Sequence, residues 1–369
     1  MNKKKIVIAS ILKPLLDPRH YERFALSLAK TNKYEVNIIA NGEKKPNTPD
    51  IRFYSNGIPG RKLTHRLKLR WKTYYHIIKI RPHLLIVCTI ELLPFAFFYS
   101  RITRCKLVYD VQENYSLNFK YLLEYGFLHK AFLSPLVRVI EHMSRRFVDH
   151  YFLAEKCYSE QLEFINTRFT ILGNKTVLEE VNKPSQDIQK SKLRFLFSGT
   201  VSAYAGIHKI FEIIECLKVS GLDFQFTIIG QVFDPHISAK LMNIQSSEIH
   251  IKVSESPVPH ASIIEEIKQA DIGVVAYQSQ IVNAHKVPTK LYEYVAYGLP
   301  YLIEKDSYWW KVGKKLGGAI PIDFDALSAE SLIKALNTKP TSADAADRNE
   351  ALWKTEEGKF LTSIYTLFE

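Results

Sequence analysis

The sequence predicts an α/β fold with two doubly wound, Rossmann-like domains, and three observations support this prediction. Short apolar runs alternate with segments of helical periodicity, which is typical of parallel sheets covered by helices on both faces. A polar stretch at residues 181–192 interrupts the pattern, which then starts again. The length of 369 residues also exceeds what one ordinary hydrophobic core holds, so two domains are expected.

The first half of the chain contains the first set of alternating elements. The strand candidates are Ile6–Ser10, Val36–Ala40, Leu84–Cys88, Lys106–Tyr109 and His150–Ala154. The helix candidates are His20–Lys30, Leu63–Lys79, Leu92–Ser100 and Leu133–Val148. The strand candidates are continuous apolar runs, as expected when both faces of a sheet are covered.

The second half repeats the alternation after the polar stretch, which we expect to be an interdomain linker. The strand candidates here are Arg194–Phe197, Gln225–Gly230, Ile249–Val253, Ile272–Ala276 and Tyr301–Glu304. The helix candidates are Ile207–Val219, Ser238–Gln245, Ala261–Gln269, Thr289–Tyr297 and Ala329–Leu336. Ligands of such sheets bind beyond the carboxyl ends of the strands, so site residues are expected there.

The composition is that of a globular protein, with 46% apolar and 12% aromatic residues. A run of about 18 uncharged apolar residues is lacking, so a membrane-spanning helix is not expected. The N-terminus mimics a signal peptide, but Lys13 and Pro14 interrupt its apolar run. The four cysteines are Cys88, Cys105, Cys157 and Cys216. Their spacing does not suit a metal site, so a reduced, cytoplasmic setting is expected.

The positive charge is concentrated in the first half. Residues 1–185 hold 31 Lys and Arg against 16 Asp and Glu, which leaves 19 basic and 22 acidic residues in the rest. The first half is therefore near +15 and the second near −3. This asymmetry indicates an anionic partner of the first half, namely a membrane surface, a polyanionic substrate or nucleic acid.

The strongest basic segment is residues 61–81, which carry eight Lys or Arg, two His and no acidic residue. Trp71, Tyr74, Tyr75 and Ile78 lie between the charges. This pattern predicts a helix on an anionic membrane surface, with basic residues at the headgroups and aromatic residues in the interface. A solvated helix whose apolar side packs on the sheet is the alternative. Nucleic-acid binding is not expected, because no recognised nucleic-acid motif accompanies the charge.

Residues 287–300 read as a loop that leads into a short, sharply terminated helix. Pro288 suits the first turn, and Gly298 followed by Pro300 ends the helix. Lys290 and Glu293 are three residues apart and share a face near the N-terminus, where phosphate is attracted. This arrangement predicts a cradle for a phosphorylated sugar, with the carboxylate accepting from ribose hydroxyls. A solvated, incidental Lys–Glu pair is the alternative.

Residues 196–210 read as a strand, a loop of small residues and a helix. Such a loop lets backbone N–H groups approach a phosphate at the helix N-terminus. The candidate contributors are Gly199, Thr200, Ser202 and Gly206. An ordinary strand–helix turn is the alternative.

The segment 287–300 resembles the nucleotide-sugar-binding motif of glycosyltransferase family 4 and its relatives with the GT-B fold. The family often carries P-x-K-x-x-E-Y-x-A-x-G-x-P at this place. The matching residues are Pro288, Lys290, Glu293, Tyr294, Ala296, Gly298 and Pro300. The resemblance implies an acceptor-binding domain at residues 1–180 facing a nucleotide-sugar-binding domain at residues 193–341 across a cleft. It also implies that a C-terminal helix within residues 342–369 packs back on the first domain.

The match to this family is incomplete around the donor. The family commonly carries Arg and Lys in the glycine-containing loop where this chain has Thr200 and Ala205. Lys290 must then carry more of the charge balance. The first of two family glutamates corresponds to His285, which the resemblance places near the donor sugar. A solvent-exposed loop histidine is the alternative for this position.

The candidates for catalysis lie in the first half. Residues 106–116 resemble the family pattern V-Y-D-x-H-E-D-Y and retain Asp110 and Glu113, while residues 87–97 retain Glu91. Each carboxylate could accept a proton from an acceptor hydroxyl, and Glu113 is the first candidate. Loop or capping carboxylates are the alternative. Arg19, in an Asp-Pro-Arg sequence after the first strand, could bind an acceptor phosphate or the donor diphosphate, or could be an exposed helix residue.

The resemblance implies a retaining, metal-independent glycosyltransferase without a cofactor. The donor would be a nucleotide diphosphate sugar, most commonly a UDP-sugar. The acceptor would be a glycan or lipid-linked glycan of surface polysaccharide or glycolipid assembly, at the inner face of the cell membrane. The alternatives are a non-catalytic GT-B subunit, which the departures from the motif favour, and a nucleotide-sugar epimerase.

Overall fold

The structure is a computed structural model that describes residues 3–42, 48–57, 63–121, 129–165, 168–182 and 191–369. The chain forms two compact units. The first comprises Met1–Asn174 together with Glu356–Glu369, and the second comprises Lys175–Thr355. Most of the expected linker, residues 183–190, lies outside the described residues.

Within the described residues, the first unit contains a parallel sheet of seven strands. They are β1 (Lys4–Pro14), β2 (Tyr34–Asn41), β3 (Ile51–Ser55), β4 (Leu84–Val87), β5 (Lys106–Val111), β6 (His150–Leu153) and β7 (Phe169–Ile171). Their order is β3-β2-β1-β4-β5-β6-β7, so the chain starts near the middle and winds outward in both directions. The five strands predicted in this half are present. β3 and β7 were not predicted, because β3 follows β2 without an intervening helix and β7 has only three residues.

The segment after β1 differs from its prediction as a single helix over His20–Lys30. It begins at Pro18, its first part (Pro18–Ala25) is π-helical, and α1 (Leu26–Lys30) continues it. The Asp17 carboxylate caps the start by accepting from the backbone N–H groups of Arg19 and His20. The cap therefore places these two side chains directly beyond the carboxyl end of β1.

The remaining helices of the first unit follow its strands in chain order. They are α2 (Leu63–Ile80), α3 (Leu93–Thr103), α4 (Tyr115–Tyr121), α5 (Ser134–Ser144) and α6 (Tyr158–Gln161), with a 3-10 turn at Ile90–Leu92 and a π turn at His129–Leu133. Leu69 and Ile77 of α2, Leu93 of α3 and Val137 of α5 join one buried apolar cluster with the sheet. These three helices therefore cover the same face of the sheet.

The second unit repeats this architecture with six parallel strands among the described residues. They are β8 (Leu193–Val201), β9 (Phe224–Val232), β10 (Ile249–Ser254), β11 (Ile272–Val275), β12 (Tyr301–Glu304) and β13 (Ala319–Ile322), in the order β10-β9-β8-β11-β12-β13. The helices are α7 (Ile207–Val219), α8 (Pro235–Ile244), α9 (His260–Gln269), α10 (Thr289–Ala296), α11 (Tyr308–Leu316), α12 (Ala329–Leu336) and α13 (Ala345–Asn349). The predicted α/β class with two doubly wound sheets is confirmed.

Three elements of the second unit were not predicted, namely β13, α11 and the five-residue helix α13. β13 contains Pro321, which reads against a strand, but β13 is the edge strand, where a missing N–H is tolerated. α11 was not predicted either, although its start has a local signal: the Ser307 hydroxyl accepts from the Trp310 N–H at 2.9 Å.

The C-terminal helix α14 (Lys354–Thr366) completes the first unit. The Phe360 ring stacks on Phe24 at 4.6 Å between centroids and lies edge-on to Phe152 at 5.4 Å. Phe152 alternates along β6 with Tyr151 and Leu153, which belong to the cluster under α2, α3 and α5. α14 therefore covers the opposite face of the sheet.

Across the described parts of the chain, none of the helices combines the length and the apolar character needed to cross a membrane.

Candidate functional site

The centre of the candidate donor site is the buried ammonium group of Lys290, in the first turn of α10. Lys290 is 4% exposed, and its Nζ has no hydrogen-bond partner among the described residues. The ammonium lies 3.8 Å from the centroid of the Phe197 ring and 5.2 Å from that of Tyr277. The aromatic faces stabilise the cation, but they supply no anion to balance it.

Burial changes the protonation of this lysine. Loss of hydration lowers the pKa of Lys290 to about 7, while the nearby Glu293 carboxylate opposes the change. The group is therefore poised between its neutral and charged forms near neutral pH. An anionic ligand placed against Nζ would restore the charged form, which is the behaviour expected of a phosphate-binding lysine.

Glu293 is also buried, with 5% of its surface exposed. Its Oε1 lies 2.8 Å from Nε2 of His260, the first residue of α9. Because both Lys290 and Glu293 are buried, the alternative of a solvated, incidental pair is wrong. The contact between His260 and Glu293 was not predicted, although Pro259 marks the start of α9 locally.

A loop with two left-handed glycines lies beside Lys290. Gly199 has a φ of +95°, and a Cβ at this position would lie 3.7 Å from Cε of Lys290. Gly206 precedes α7 with a φ of +89°, and a Cβ there would lie 1.8 Å from the carbonyl oxygen of Ala276. Only glycine suits either backbone. The structure therefore brings the predicted glycine-containing loop and the predicted lysine together.

The other two predicted loop residues have different surroundings. Thr200 is exposed, and the Ser202 hydroxyl accepts from the Ala205 N–H at 3.2 Å, which shapes the turn before α7. Behind the loop, the Tyr294 hydroxyl lies 3.0 Å from that of Ser198. This buried contact links α10 to β8 and fixes the distance between Lys290 and the loop.

His285 lies in the loop that precedes α10 and is exposed, as its alternative interpretation proposed. Its ring lies 5.3 Å from the Tyr308 ring, centroid to centroid. The same loop is shaped by the buried Asn283, which accepts from the Gln280 N–H at 2.7 Å and donates to the Gln278 carbonyl at 2.9 Å. Asn283 therefore stabilises the loop, while His285 is accessible to solvent.

In the first unit, Arg19 and Asp110 form a buried ion pair. Arg19 is 3% and Asp110 is 0% exposed, and Nη2 of Arg19 lies 2.7 Å from Oδ1 of Asp110. Arg19 also donates to the Leu172 carbonyl and to Oδ1 of Asn174. Burial acts to lower the pKa of Arg19, but the Asp110 carboxylate outweighs it and the pKa is raised. The alternative of an exposed arginine is therefore wrong, and this guanidinium is already engaged within the chain.

The other two candidate carboxylates lie after the ends of neighbouring strands. Glu113 follows β5 and is exposed, and its Oε2 accepts from Nδ2 of Asn118 at 3.1 Å. Glu91 follows β4, pairs with Arg66 of α2, and keeps a buried Oε2 without a hydrogen-bond partner among the described residues. Because β4 and β5 are paired and parallel, both carboxylates lie beyond the carboxyl ends of the strands, on the same side of the sheet.

His20, Cys88 and Asp110 meet at the same ends of the strands, within 4.8 Å of one another. The set does not suit a metal ion. The carboxylate of Asp110 already accepts from Arg19 through both oxygens, and a guanidinium repels a metal cation. Burial also raises the pKa of the Cys88 thiol, whereas metals bind the thiolate. His20, whose pKa burial lowers, instead lies 2.6 Å from Nε2 of Gln112.

Comparison with known proteins supports the fold. No protein-family model matches this sequence, and no curated protein matches it. Solved structures do match, including sucrose-phosphate synthase from Thermosynechococcus elongatus, at 12% identity, 99% of both chains and a TM-score of 0.69. Anabaena HepE in complex with UDP-glucose matches at 14% identity, with 98% of this chain, 99% of that chain and a TM-score of 0.64. WaaG, a glycosyltransferase involved in lipopolysaccharide biosynthesis, matches at 14% identity over 96% and 94%, with a TM-score of 0.60.

These structural neighbours are glycosyltransferases with the GT-B fold, so the predicted GT-B fold is confirmed. At 12–14% identity, the likeness shows the fold alone.

Proposed function

We propose that this protein is a glycosyltransferase that moves a sugar from a nucleotide diphosphate sugar to an acceptor hydroxyl. The observation that carries the proposal is the buried Lys290 ammonium, which has no hydrogen-bond partner among the described residues and lies beside the Gly199 loop. A diphosphate supplies the negative charge that this group lacks, and the loop amides and the start of α7 supply donors.

The same residues would act on the leaving group. Transfer breaks the bond between the sugar and the diphosphate, and negative charge develops on the diphosphate oxygen. A cation and fixed N–H groups aimed at that oxygen stabilise the transition state without requiring a metal ion. Retention of stereochemistry belongs to the same proposal.

Glu293 is assigned to the ribose of the donor. A buried carboxylate accepts strongly from hydroxyl groups, and the contact with His260 at 2.8 Å fixes its orientation. UDP is the proposed nucleotide, which the likeness to HepE in complex with UDP-glucose supports. His285, accessible in the loop before α10, is assigned to the donor sugar.

Glu113 is assigned as the group that accepts a proton from the acceptor hydroxyl. It is exposed and follows the end of β5, so an acceptor hydroxyl can reach it, whereas Asp110 is fully buried and Glu91 is half-buried. We assign Arg19 to holding Asp110 and the end of β7 in place, rather than to substrate phosphate.

The acceptor is proposed to lie at an anionic membrane surface on the cytoplasmic side, as a lipid-linked glycan. α2 supports this, because Leu67, Trp71, Tyr75 and Ile78 are 41–70% exposed along one stripe of the helix. Neighbouring lysines supply positive charge. Neutralising Lys68, Arg70 and Lys72 together should reduce activity on membrane-held acceptors and leave activity on soluble acceptors unchanged; equal loss on both would contradict the assignment.

The donor assignment is tested by a thermal-shift panel of nucleotide diphosphates and their sugars. At 100 times its dissociation constant, a nucleotide should stabilise the wild-type protein by roughly 2.7 kcal/mol. Lys290→Ala should abolish the shift, whereas Lys314→Ala, which removes an exposed lysine of α11, should retain it. A shift that survives Lys290→Ala would contradict the proposed site.

A second candidate is a non-catalytic GT-B subunit. The observation that favours it is the chemistry of the loop, where Thr200 and Ala205 stand in place of the family's two cations. Product formation by the purified protein, abolished in Lys290→Ala, would exclude this candidate. An epimer formed without any acceptor would instead indicate a nucleotide-sugar epimerase.

A further inference from the structure

A basic recess of about 540 Å³ lies in the first unit, at the amino ends of its strands. The candidate carboxylates lie at the other ends of these strands. Lys4, at the start of β1, and Lys106, at the start of β5, line it together with Arg81 and Arg104. The register of the sheet places these residues at the amino ends of β1, β4 and β5. The proposed glycosyl transfer makes no use of these amino ends.

The positive charge of the recess is only partly balanced. Lys106 lies 3.7 Å from Asp149, and the Lys4 ammonium lies 4.2 Å from the centroid of the Phe368 ring. The guanidinium groups of Arg81 and Arg104 have neither a hydrogen-bond nor an ion-pair partner among the described residues. The recess therefore offers two unengaged, fork-shaped donors, which is the chemistry that recognises phosphate.

The backbone at these two arginines is unusual. Arg81 directly follows α2 with a φ of 53°, and Arg104 directly follows α3 with a φ of 57°. A left-handed residue after a helix is usually glycine or asparagine, because other side chains destabilise that conformation. Arginine occupies two equivalent turns that open into one recess. This indicates that the two arginine side chains have a function other than forming the turns.

Exposed apolar side chains border the recess. Ile78 of α2 lines the recess and is 54% exposed, and Ile102, next to the lining residue Thr103, is 81% exposed. Phe98, one turn earlier on α3, is 60% exposed. A phosphate that carries acyl chains would satisfy both the arginines and this exposed apolar surface, whereas a free phosphate would satisfy only the arginines.

We propose that this recess binds the phosphate headgroup of an anionic membrane lipid, with Arg81 and Arg104 as the paired donors. The site goes beyond the proposed donor chemistry, because no residue of the second unit takes part. It rests on the membrane contact proposed for α2, and adds a selective headgroup site to that non-selective basic and aromatic surface.

The test compares binding to phosphatidylcholine vesicles that contain either phosphatidic acid or phosphatidylserine, at matched surface charge. The wild-type protein should prefer phosphatidic acid, whose phosphate monoester is accessible to two guanidinium groups. The double variant Arg81→Asn/Arg104→Asn should lose about tenfold in affinity for these vesicles and lose the preference. The control Arg101→Gln/Arg146→Gln removes two exposed charges outside the recess and should keep the preference.

Asparagine is chosen because it tolerates the left-handed backbone. The melting temperature of the double variant should therefore equal or exceed that of the wild type; a lower one would show that the arginines serve the fold and would overturn the proposal. Equal vesicle preference in both variants, or no vesicle binding by the wild type, would also overturn it. Displacement from vesicles by millimolar inorganic phosphate would assign the recess to free phosphate instead. Each of these results leaves the nucleotide shifts of the second unit unchanged, so failure here is separable from failure of the proposed function.

Discussion

The two units each bury a charge near the carboxyl ends of their central strands, but they balance it differently. In the first unit, the Asp110 carboxylate is fully buried and receives its partner, Arg19, from the same chain. In the second unit, the Lys290 ammonium is equally buried and has no hydrogen-bond partner among the described residues. Removing one member of an internal ion pair leaves an uncompensated buried charge, whereas a buried charge without a partner in the chain is suited to a ligand from outside. The difference is consistent with a structural role for the Arg19–Asp110 pair and with the ligand-binding role proposed for Lys290.

The largest expected effect comes from removing the partner of the buried carboxylate. Arg19→Met should destabilise the protein by about 3–5 kcal/mol, because Asp110 is left as an unpaired buried charge. The loss should be partly reversed in Arg19→Met/Asp110→Asn, because the buried negative charge is then removed as well. Urea denaturation of the wild type and both variants measures this. A loss below about 1 kcal/mol would mean that the pair does not support the fold as described.

A smaller effect is expected at Gly230, where β9 approaches β8 closely within the second sheet. In Gly230→Ala, the new Cβ would lie 1.6 Å from the Gly199 carbonyl oxygen, so β8 and β9 must separate. We expect a loss of about 3 kcal/mol, together with loss of the nucleotide-induced shift, because the loop beside Lys290 moves.

The matched control for this variant is Gly221→Ala. Gly221 is also left-handed, with a φ of +75°, but a Cβ there meets open space. It should cost only the backbone strain, about 1 kcal/mol, and keep the nucleotide shift. Equal effects of the two variants on denaturation and on nucleotide binding would show that the close approach of β8 and β9 is not critical.

Removing the Lys290 charge should change the stability of the protein in the opposite direction to Arg19→Met. Lys290→Met should stabilise the ligand-free protein by about 1–3 kcal/mol at pH 6, although it abolishes nucleotide binding. The gain is limited, because the stacking on Phe197 is lost as well. A destabilised Lys290→Met protein would break the comparison between the two units.

The pH dependence of this gain follows from the pKa of Lys290, which burial lowers to about 7. The unfolded chain holds the proton up to about pH 10, so it binds more protons than the folded state between those values. Wild-type stability should therefore rise with pH from about 7 to 10, and the advantage of Lys290→Met should fade over the same range. Denaturation of both proteins at pH 6, 8 and 10 measures the trend.

The smallest effect is expected at the partner of Glu293. His260→Ala should weaken UDP binding by about 1 kcal/mol, roughly fivefold, because the Glu293 carboxylate loses its fixed orientation. His285→Ala should leave the affinity for UDP unchanged and weaken only that for the UDP-sugar. Isothermal titration with UDP and UDP-glucose separates the two. Similar losses for UDP in both variants would contradict the assignment of His285 to the sugar.

Three elements were predicted to the residue. α7 and α12 have the predicted bounds, as does β12. Glycine precedes α7, and a Ser328 capping box defines the start of α12. By contrast, β3 and β13 are defined by pairing with a neighbouring strand. No helix separates β3 from β2, and β13 contains Pro321, so neither segment is marked as a strand locally.

In the candidate site, too, contacts between residues close in sequence were predictable and contacts between distant residues were not. Lys290 and Glu293 are three residues apart on one helix, so their shared face could be predicted. Arg19 and Asp110 are 91 positions apart, and His260 and Glu293 are 33 apart. The sheet order brings such residues together, and no local periodicity carries that information. This is why Arg19 was expected at a substrate phosphate although its partner is a carboxylate of its own sheet.

The placement of α14 has a consequence for the order of events during synthesis. Phe24 and Phe152 are covered by Phe360, yet residues 1–174 leave the ribosome about 180 residues before Glu356 does. At typical translation rates, this interval is about 10–40 s. During that time all of the second unit is synthesised, whereas the first unit still lacks α14. Until α14 emerges, Phe24 and Phe152 therefore lack the contact with Phe360, so the unit whose synthesis begins first is completed after the second unit.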